Sequence, residues 1–174
     1  MAASMYLSLL LIISLIFISH AISLTSSSKL FENICKQPGD KDFEQHCLEV
    51  LKPYPEITSA KDYLTFSRLY LKTVAIEKAI KARDQVKEIF NKYHSSHAIK
   101  ICADNYDTVV LEVKDALLED PPEISLAVEY AYDALNGCES VLADEKSVNT
   151  SSISTLNNEM VFIVEIAGIS SGHL

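Results

Sequence analysis

The sequence predicts an all-α protein: an up-and-down antiparallel four-helix bundle with an N-terminal helical hairpin and two disulfides. Three observations predict it. Four stretches carry apolar residues at alternating steps of three and four, the spacing of one helical face. Short polar or proline-containing breaks separate them, and such a narrow stripe is hidden only against other helices. Four cysteines, Cys35, Cys47, Cys102 and Cys138, fall where two pairs of elements can be stapled.

The first element is not part of the fold. The chain opens MAASMYLSLLLIISLIFISHAISLTSSS, with no charged residue before Lys29, and Tyr6 to Ile18 is apolar except for Ser8 and Ser14. This is the h-region of a secretory signal, with Ala21 and Ser23 placed for cleavage after Ser23. A span of the bilayer needs ~20 apolar residues, more than this run supplies. The expected organisation is therefore a signal peptide at 1–23 and a single domain at 24–174, with no membrane association after cleavage. The chain carries a formal net charge of −9. Its Lys and Arg are interspersed with acids, which argues against nucleic-acid partners, because phosphate neutralisation needs clustered cations.

After Pro53 and Pro55 no proline occurs until Pro121. Within that stretch Phe66, Leu69, Thr73, Ile76, Ile80, Arg83, Val86, Phe90 and Tyr93 predict one long helix from about Ser59 to Tyr93. Ile99, Cys102, Tyr106, Val109, Val113 and Ala116 predict the second, with Ser95 or Ser96 as its cap. Ile124, Ala127, Ala131, Ala134, Cys138 and Val141 form the third stripe. Ile153, Leu156, Met160, Ile163 and Ala167 form the fourth, before Gly168. The segment MVFIVEIAG is rich in β-branched residues, but a lone strand has no partner, so it is read as a buried helix.

In an exported chain the four cysteines are expected to form two disulfides, and sequence alone allows three connectivities. Hairpin geometry selects one. Cys102 and Cys138 are each 18 residues from Asp120, so folding at Asp120, Pro121 and Pro122 brings both sulfurs level. Lys41 lies midway between Cys35 and Cys47, beside the turn residues Pro38, Gly39 and Asp40, and predicts a smaller hairpin stapled to itself.

The segments ENICKQPGDKDFEQHCLEVL, AIKICADNYDTVVLEVKDALL and AYDALNGCESVLADEKSVNTSSISTLNNEM, together with the signal peptide, resemble the plant invertase and pectin methylesterase inhibitor family. The resemblance covers essentially the whole mature chain and is carried most specifically by the order of the cysteines, Cys102 followed by Tyr106, and Cys138-Glu139. It implies a four-helix bundle with an N-terminal hairpin, pairing of Cys35 with Cys47 and of Cys102 with Cys138, an apoplastic location, and inhibition by a 1:1 protein complex. Members block either pectin methylesterase, by covering its pectin groove, or acid invertase, through a Pro-Lys-Phe motif near the start of the third bundle helix. The matching position here reads Pro122-Glu123-Ile124, and the Ser-Ala-Ala-Leu-Thr common before the fourth cysteine in pectin methylesterase members is Tyr132-Asp133-Ala134-Leu135-Asn136. Around Cys138 the chain is closer to members named as invertase inhibitors, so either target is open, with pectin methylesterase first because the invertase motif is replaced.

The acidic break ALLEDPPEIS serves the fold in one reading: prolines suit a first helical turn and carboxylates complement the helix dipole. In a second reading Glu119, Asp120, Pro122, Glu123 and Ile124 contact the target, and the carboxylates join Glu112, Asp115, Glu129 and Asp133 in a patch that steers a basic enzyme. Catalysis is not expected. No G-x-S-x-G elbow or phosphate loop occurs, and the glycines are Gly39, Gly137, Gly168 and Gly172. His94 and His97 lack an acidic third ligand at helical spacing, and His46 adjoins Cys47, whose oxidation removes the thiolate, so neither metal nor cofactor is expected. A carrier with a small apolar ligand among Ile99, Tyr106, Val109, Val113, Leu156, Met160 and Ile163 is a more distant reading, since close packing accounts for the same residues. Asn149-Thr150-Ser151 is the usable N-glycosylation sequon. The expected protein is a monomer.

Overall fold

The structure, a computed structural model, describes residues 29–36, 40–93 and 96–174. The expected signal peptide, Pro38, Gly39, His94 and Ser95 lie outside the described residues. Among the described residues the chain is helical, without strands. It divides into two compact units, one ending at Lys61 and one at Asp62–Leu174.

In the first unit α1 (Lys29–Cys35) and α2 (Lys41–Leu51) form the hairpin, followed by the short α3 (Pro55–Thr58). The α2 helix starts where Asp40 caps it: its carboxylate accepts the Phe43 N–H at 2.8 Å, satisfying a donor that has no helical partner. Cys35 and Cys47 are bonded, with Cα atoms 5.4 Å apart. The pair is not symmetric about a turn at Lys41. Because Asp40 starts α2 immediately after the break, the bond joins the last residue of α1 to the second turn of α2.

The second unit opens with α4 (Tyr63–Tyr70), which passes through a π-helical turn at Leu71–Ala75 into α5 (Ile76–Lys92). This is the first long helix of the bundle, and it begins later than the stripe suggested. Asp62 sets the boundary, accepting the Thr65 N–H at 2.8 Å and the Thr65 hydroxyl at 2.9 Å, and these bonds hold its carboxyl below the usual range. The inward face also differs: Phe66, Tyr70, Val74, Ala75, Ala79, Ala82 and Val86 are buried, while Leu69, Thr73, Ile76, Ile80 and Phe90 are half-buried. The π turn inserts extra residues into the winding, so a stripe read at uniform spacing drifts off the core between its two fixed points, Phe66 and Val86.

The remaining helices are α6 (His97–Leu118), α7 (Pro121–Ala143) and α8 (Ser151–Ser171). The first is capped by Ser96, whose hydroxyl accepts the Ile99 N–H at 3.3 Å. All six residues of its predicted stripe are buried. On α7 Ile124, Ala127, Ala131 and Cys138 are buried, with Ala134 and Val141 at the margin. The ambiguous MVFIVEIAG segment is helical and continues to Ser171. Neighbouring contacts run α5 to α6, α6 to α7, α7 to α8 and α8 back to α4 and α5, closing a four-membered ring of helices.

The α6–α7 pair is joined by the Cys102–Cys138 bond, with Cα atoms only 4.5 Å apart. Beside the bond, Gly137 faces Asn105 across the helix pair. A Cβ built there would stand 3.0 Å from the Asn105 side-chain amide. The opposite side of the core is tied by polar groups. Tyr70 donates to the Ile163 carbonyl at 3.0 Å, Ser67 to the Ser170 hydroxyl at 2.9 Å, and the Asn157 amide to the Leu135 carbonyl at 3.2 Å. The Tyr106 hydroxyl reaches Asn157 Oδ1 at 3.5 Å, and burial first, then Glu139 and Glu159, pushes that phenol well above its usual range. Each such large side chain, fully buried, is worth roughly 1.5 to 3 kcal/mol of apolar transfer, provided its polar atom stays paired. No helix among the described residues is long and apolar enough to cross a membrane.

Candidate functional site

The acidic break is a two-residue corner. The α6 helix stops at Leu118, Glu119 and Asp120 are extended, and α7 starts at Pro121. The chemistry is local: a proline forces the residue before it out of the helical region, and at a first-turn position its missing N–H costs nothing. Asp120 then accepts the Glu123 and Ile124 N–H groups through its carbonyl, at 3.0 and 3.2 Å. Of the residues assigned to target contact, Glu119, Asp120, Pro122 and Glu123 are exposed. Ile124 is not: it is fully buried and belongs to the core, because the first inward position of α7 falls on it.

From the corner a seam runs back between α6 and α7. Gly137 meets Asn105 across it. One heptad toward the corner on each antiparallel helix brings Glu112 opposite Tyr130, and a second brings Glu119 opposite Glu123. The seam is therefore about 21 Å long, two heptads at 1.5 Å per residue. Asp115 and Leu126 lie between these levels on the same sides. Tyr130 is 50% exposed, Leu126 46%, and Leu118 beside the corner 82%. The result is an exposed ridge of apolar and aromatic side chains set among carboxylates.

Among the described residues its carboxylates outnumber the one exposed cation beside them, Lys114. No ion pair among the described residues involves Glu112, Asp115, Glu119, Asp120, Glu123, Glu129 or Asp133. Partial burial first, and the Asp115 carboxylate second, raise the Glu112 carboxyl above the usual range. Glu129 and Asp133 are exposed on α7, so all seven residues of the predicted patch reach solvent at least in part. Sequence reasoning named these acids but missed Leu111, Leu118, Leu126 and Tyr130 as exposed apolar groups. The signal was there: none of the four lies on the stripes that fill α6 and α7 inward.

At the other pole, Glu145 closes the connector between α7 and α8. It accepts the Ser96 hydroxyl at 2.6 Å and the Ser147 hydroxyl and N–H at 2.6 and 2.7 Å. These bonds, Ser147 first, hold its carboxyl down at about 2. Among the described residues no three of His, Cys, Asp and Glu are grouped so as to hold a metal ion. His46 and His97 are exposed, and His94 lies outside the described residues.

The plant invertase/pectin methylesterase inhibitor family matches this chain over residues 29–167. Solved structures share its fold, two of them pectin methylesterase inhibitors. One is a mutant form of a pectin methylesterase inhibitor from Arabidopsis, at a TM-score of 0.63 and 18% identity, over 75% of this chain and 89% of that one. The other is a pectin methylesterase inhibitor from Arabidopsis thaliana, at a TM-score of 0.58 and 16% identity, over 86% of this chain and 96% of that one. No curated protein sequence matches.

Proposed function

The chain belongs to the plant invertase/pectin methylesterase inhibitor family, and on that premise we propose that it is a secreted, non-catalytic inhibitor that binds pectin methylesterase in a 1:1 complex. In this reading residues 1–23 direct export and are removed, and the monomeric remainder acts in the cell wall. The observation that carries the choice of target is the corner itself. Where invertase-directed members place a lysine and an aromatic, this chain presents the exposed carboxylate of Glu123 and turns Ile124 into the core. A Lys-aromatic finger has no counterpart at that position.

The α6–α7 seam is the proposed contact. Tyr130 supplies an aromatic anchor of the kind that dominates protein interfaces, Leu126 and Leu118 add exposed apolar area, and the surrounding carboxylates supply complementarity to a cationic enzyme. A ridge about 21 Å long suits an elongated polysaccharide groove. With its flanks it is of a scale to enter a standard interface of ~1,600 Å². Ile99, Tyr106, Val109, Val113, Met160 and Ile163, the residues a ligand carrier would use, are buried packing positions, and Leu156 is half-buried. They add nothing specific to the carrier reading.

The test is to titrate the purified protein into a pectin methylesterase and, separately, an acid invertase at acidic pH, following both activities at two salt concentrations. The expected result is stoichiometric loss of esterase activity with invertase unaffected, and weaker inhibition at high salt because exposed charges are screened. Loss of invertase activity alone assigns the alternative target. Inhibition of neither enzyme, with lipid co-purifying, transfers the protein to the carrier class.

A further inference from the structure

We propose that Asn149 is an N-glycosylation site and that its sugar sits at the pole of the bundle opposite the acidic corner. The inference rests on the export reading above, since the modifying machinery meets only exported chains. The sequon Asn149-Thr150-Ser151 alone is weak, being a pattern that many unmodified chains contain. Its placement adds the rest. Asn149 is exposed, in the connector between Ala143 at the end of α7 and Ser151 at the start of α8.

The two atoms of its amide have different duties. Oδ1 accepts the Ser151 N–H at 2.9 Å, occupying one of the donors that a helix start leaves unpaired. Nδ2 makes no hydrogen bond among the described residues. Glycosylation uses Nδ2 alone. Transfer from a polyprenyl-diphosphate oligosaccharide forms a bond from Nδ2 to the anomeric carbon, and the bond from that carbon to the phosphate oxygen breaks. The diphosphate departs and one amide proton goes to a base. The product amide keeps its carbonyl oxygen, so the contact at the start of α8 survives the modification.

The position also separates the sugar from the corner and from the seam levels nearest it. The corner at Glu119 and Asp120 and the connector holding Asn149 lie at opposite ends of α7, whose 23 residues span about 34 Å at 1.5 Å per residue. Glu145 fixes the connector at its own end through Ser96 and Ser147. A glycan there covers the polar pole and leaves Glu112, Tyr130 and Glu123 clear.

The experiment expresses the full chain in plant cells and collects the protein from the medium. It is treated with an amidase that releases N-glycans, beside a Ser151→Ala variant that destroys the sequon and keeps Asn149 and the Ser151 N–H. The expected result is loss of one glycan's mass from the wild type and conversion of residue 149 to aspartate. Ser151→Ala runs at the deglycosylated position and inhibits the target enzyme equally. Secreted wild type with no mass loss and unconverted Asn149 overturns the site. A glycosylated wild type that inhibits more weakly than Ser151→Ala overturns its placement. A chain that never reaches the medium counts against export instead; replacing residues 1–23 by an established secretion leader then repeats the test of Asn149 on its own.

Discussion

Removing the Cys102–Cys138 bond is expected to be the more damaging of the two disulfide removals. Both sulfurs are fully buried, and the bond fixes the closest helix pair, with Cα atoms 4.5 Å apart. Its stabilisation comes chiefly from the unfolded chain, which loses freedom in proportion to the logarithm of the ring it is forced to close. The ring here has a sequence separation of 36, which corresponds to about 4 kcal/mol. The hairpin bond, at a separation of 12, corresponds to about 3 kcal/mol. Set against a net stability of ~5 to 15 kcal/mol, the larger loss leaves a marginal fold. Equilibrium urea unfolding followed by far-ultraviolet circular dichroism should rank wild type, then Cys35→Ala/Cys47→Ala, then Cys102→Ala/Cys138→Ala, with about 1 kcal/mol between the two variants. A Cys102→Ala/Cys138→Ala protein within about 1 kcal/mol of wild type would refute the reasoning, as would a greater loss from the hairpin pair.

Two further changes probe the half of the α6–α7 pair remote from the corner. Glu145→Gln should lower the melting temperature at neutral pH. A carboxyl held at about 2 rather than 4.5 contributes stability that is complete above the higher value and lost as pH falls toward the lower. The difference from wild type should therefore close on acidification, and a pH-independent difference would remove the clasp from the account. Gly137→Ala sets helix propensity, worth about 1 kcal/mol in favour of alanine, against the Asn105 amide 3.0 Å from the new Cβ. Asn105→Ala in the same chain should release the opposed gain as a coupling of about 1 kcal/mol, whereas additive effects would place Asn105 elsewhere.

The second and third bundle helices were legible from sequence because nothing interrupts their winding: Ile99, Cys102, Tyr106, Val109, Val113 and Ala116 step at the spacing a regular helix buries, and all are buried. The first was legible in existence and in its end, but not in its start or its facing. Its π turn at Leu71–Ala75 leaves no compositional mark, and through it Val74 and Ala75 face inward in place of Thr73 and Ile76. Asn157 was unreadable for a different reason. A buried amide is tolerable only where Leu135 offers a carbonyl and Tyr106 a hydroxyl, and both partners are remote in the chain. At the corner the same limit applies to one residue: the PPE of ALLEDPPEIS could be read as exposed, but Ile124 is claimed by the core, since a helix that begins at Pro121 points its fourth residue inward.

The seam is the account's central claim, and a single inhibition constant tests it. A variant carrying Glu112→Lys and Tyr130→Ala alters one level of the ridge at side chains that are at least partly exposed and leaves the buried stripe untouched. Titrated against pectin methylesterase, it should inhibit at least about 30-fold more weakly than wild type, the effect of losing about 2 kcal/mol at an interface anchor, with an unchanged unfolding midpoint. Equal inhibition by the variant and the wild type would contradict the seam as the binding surface.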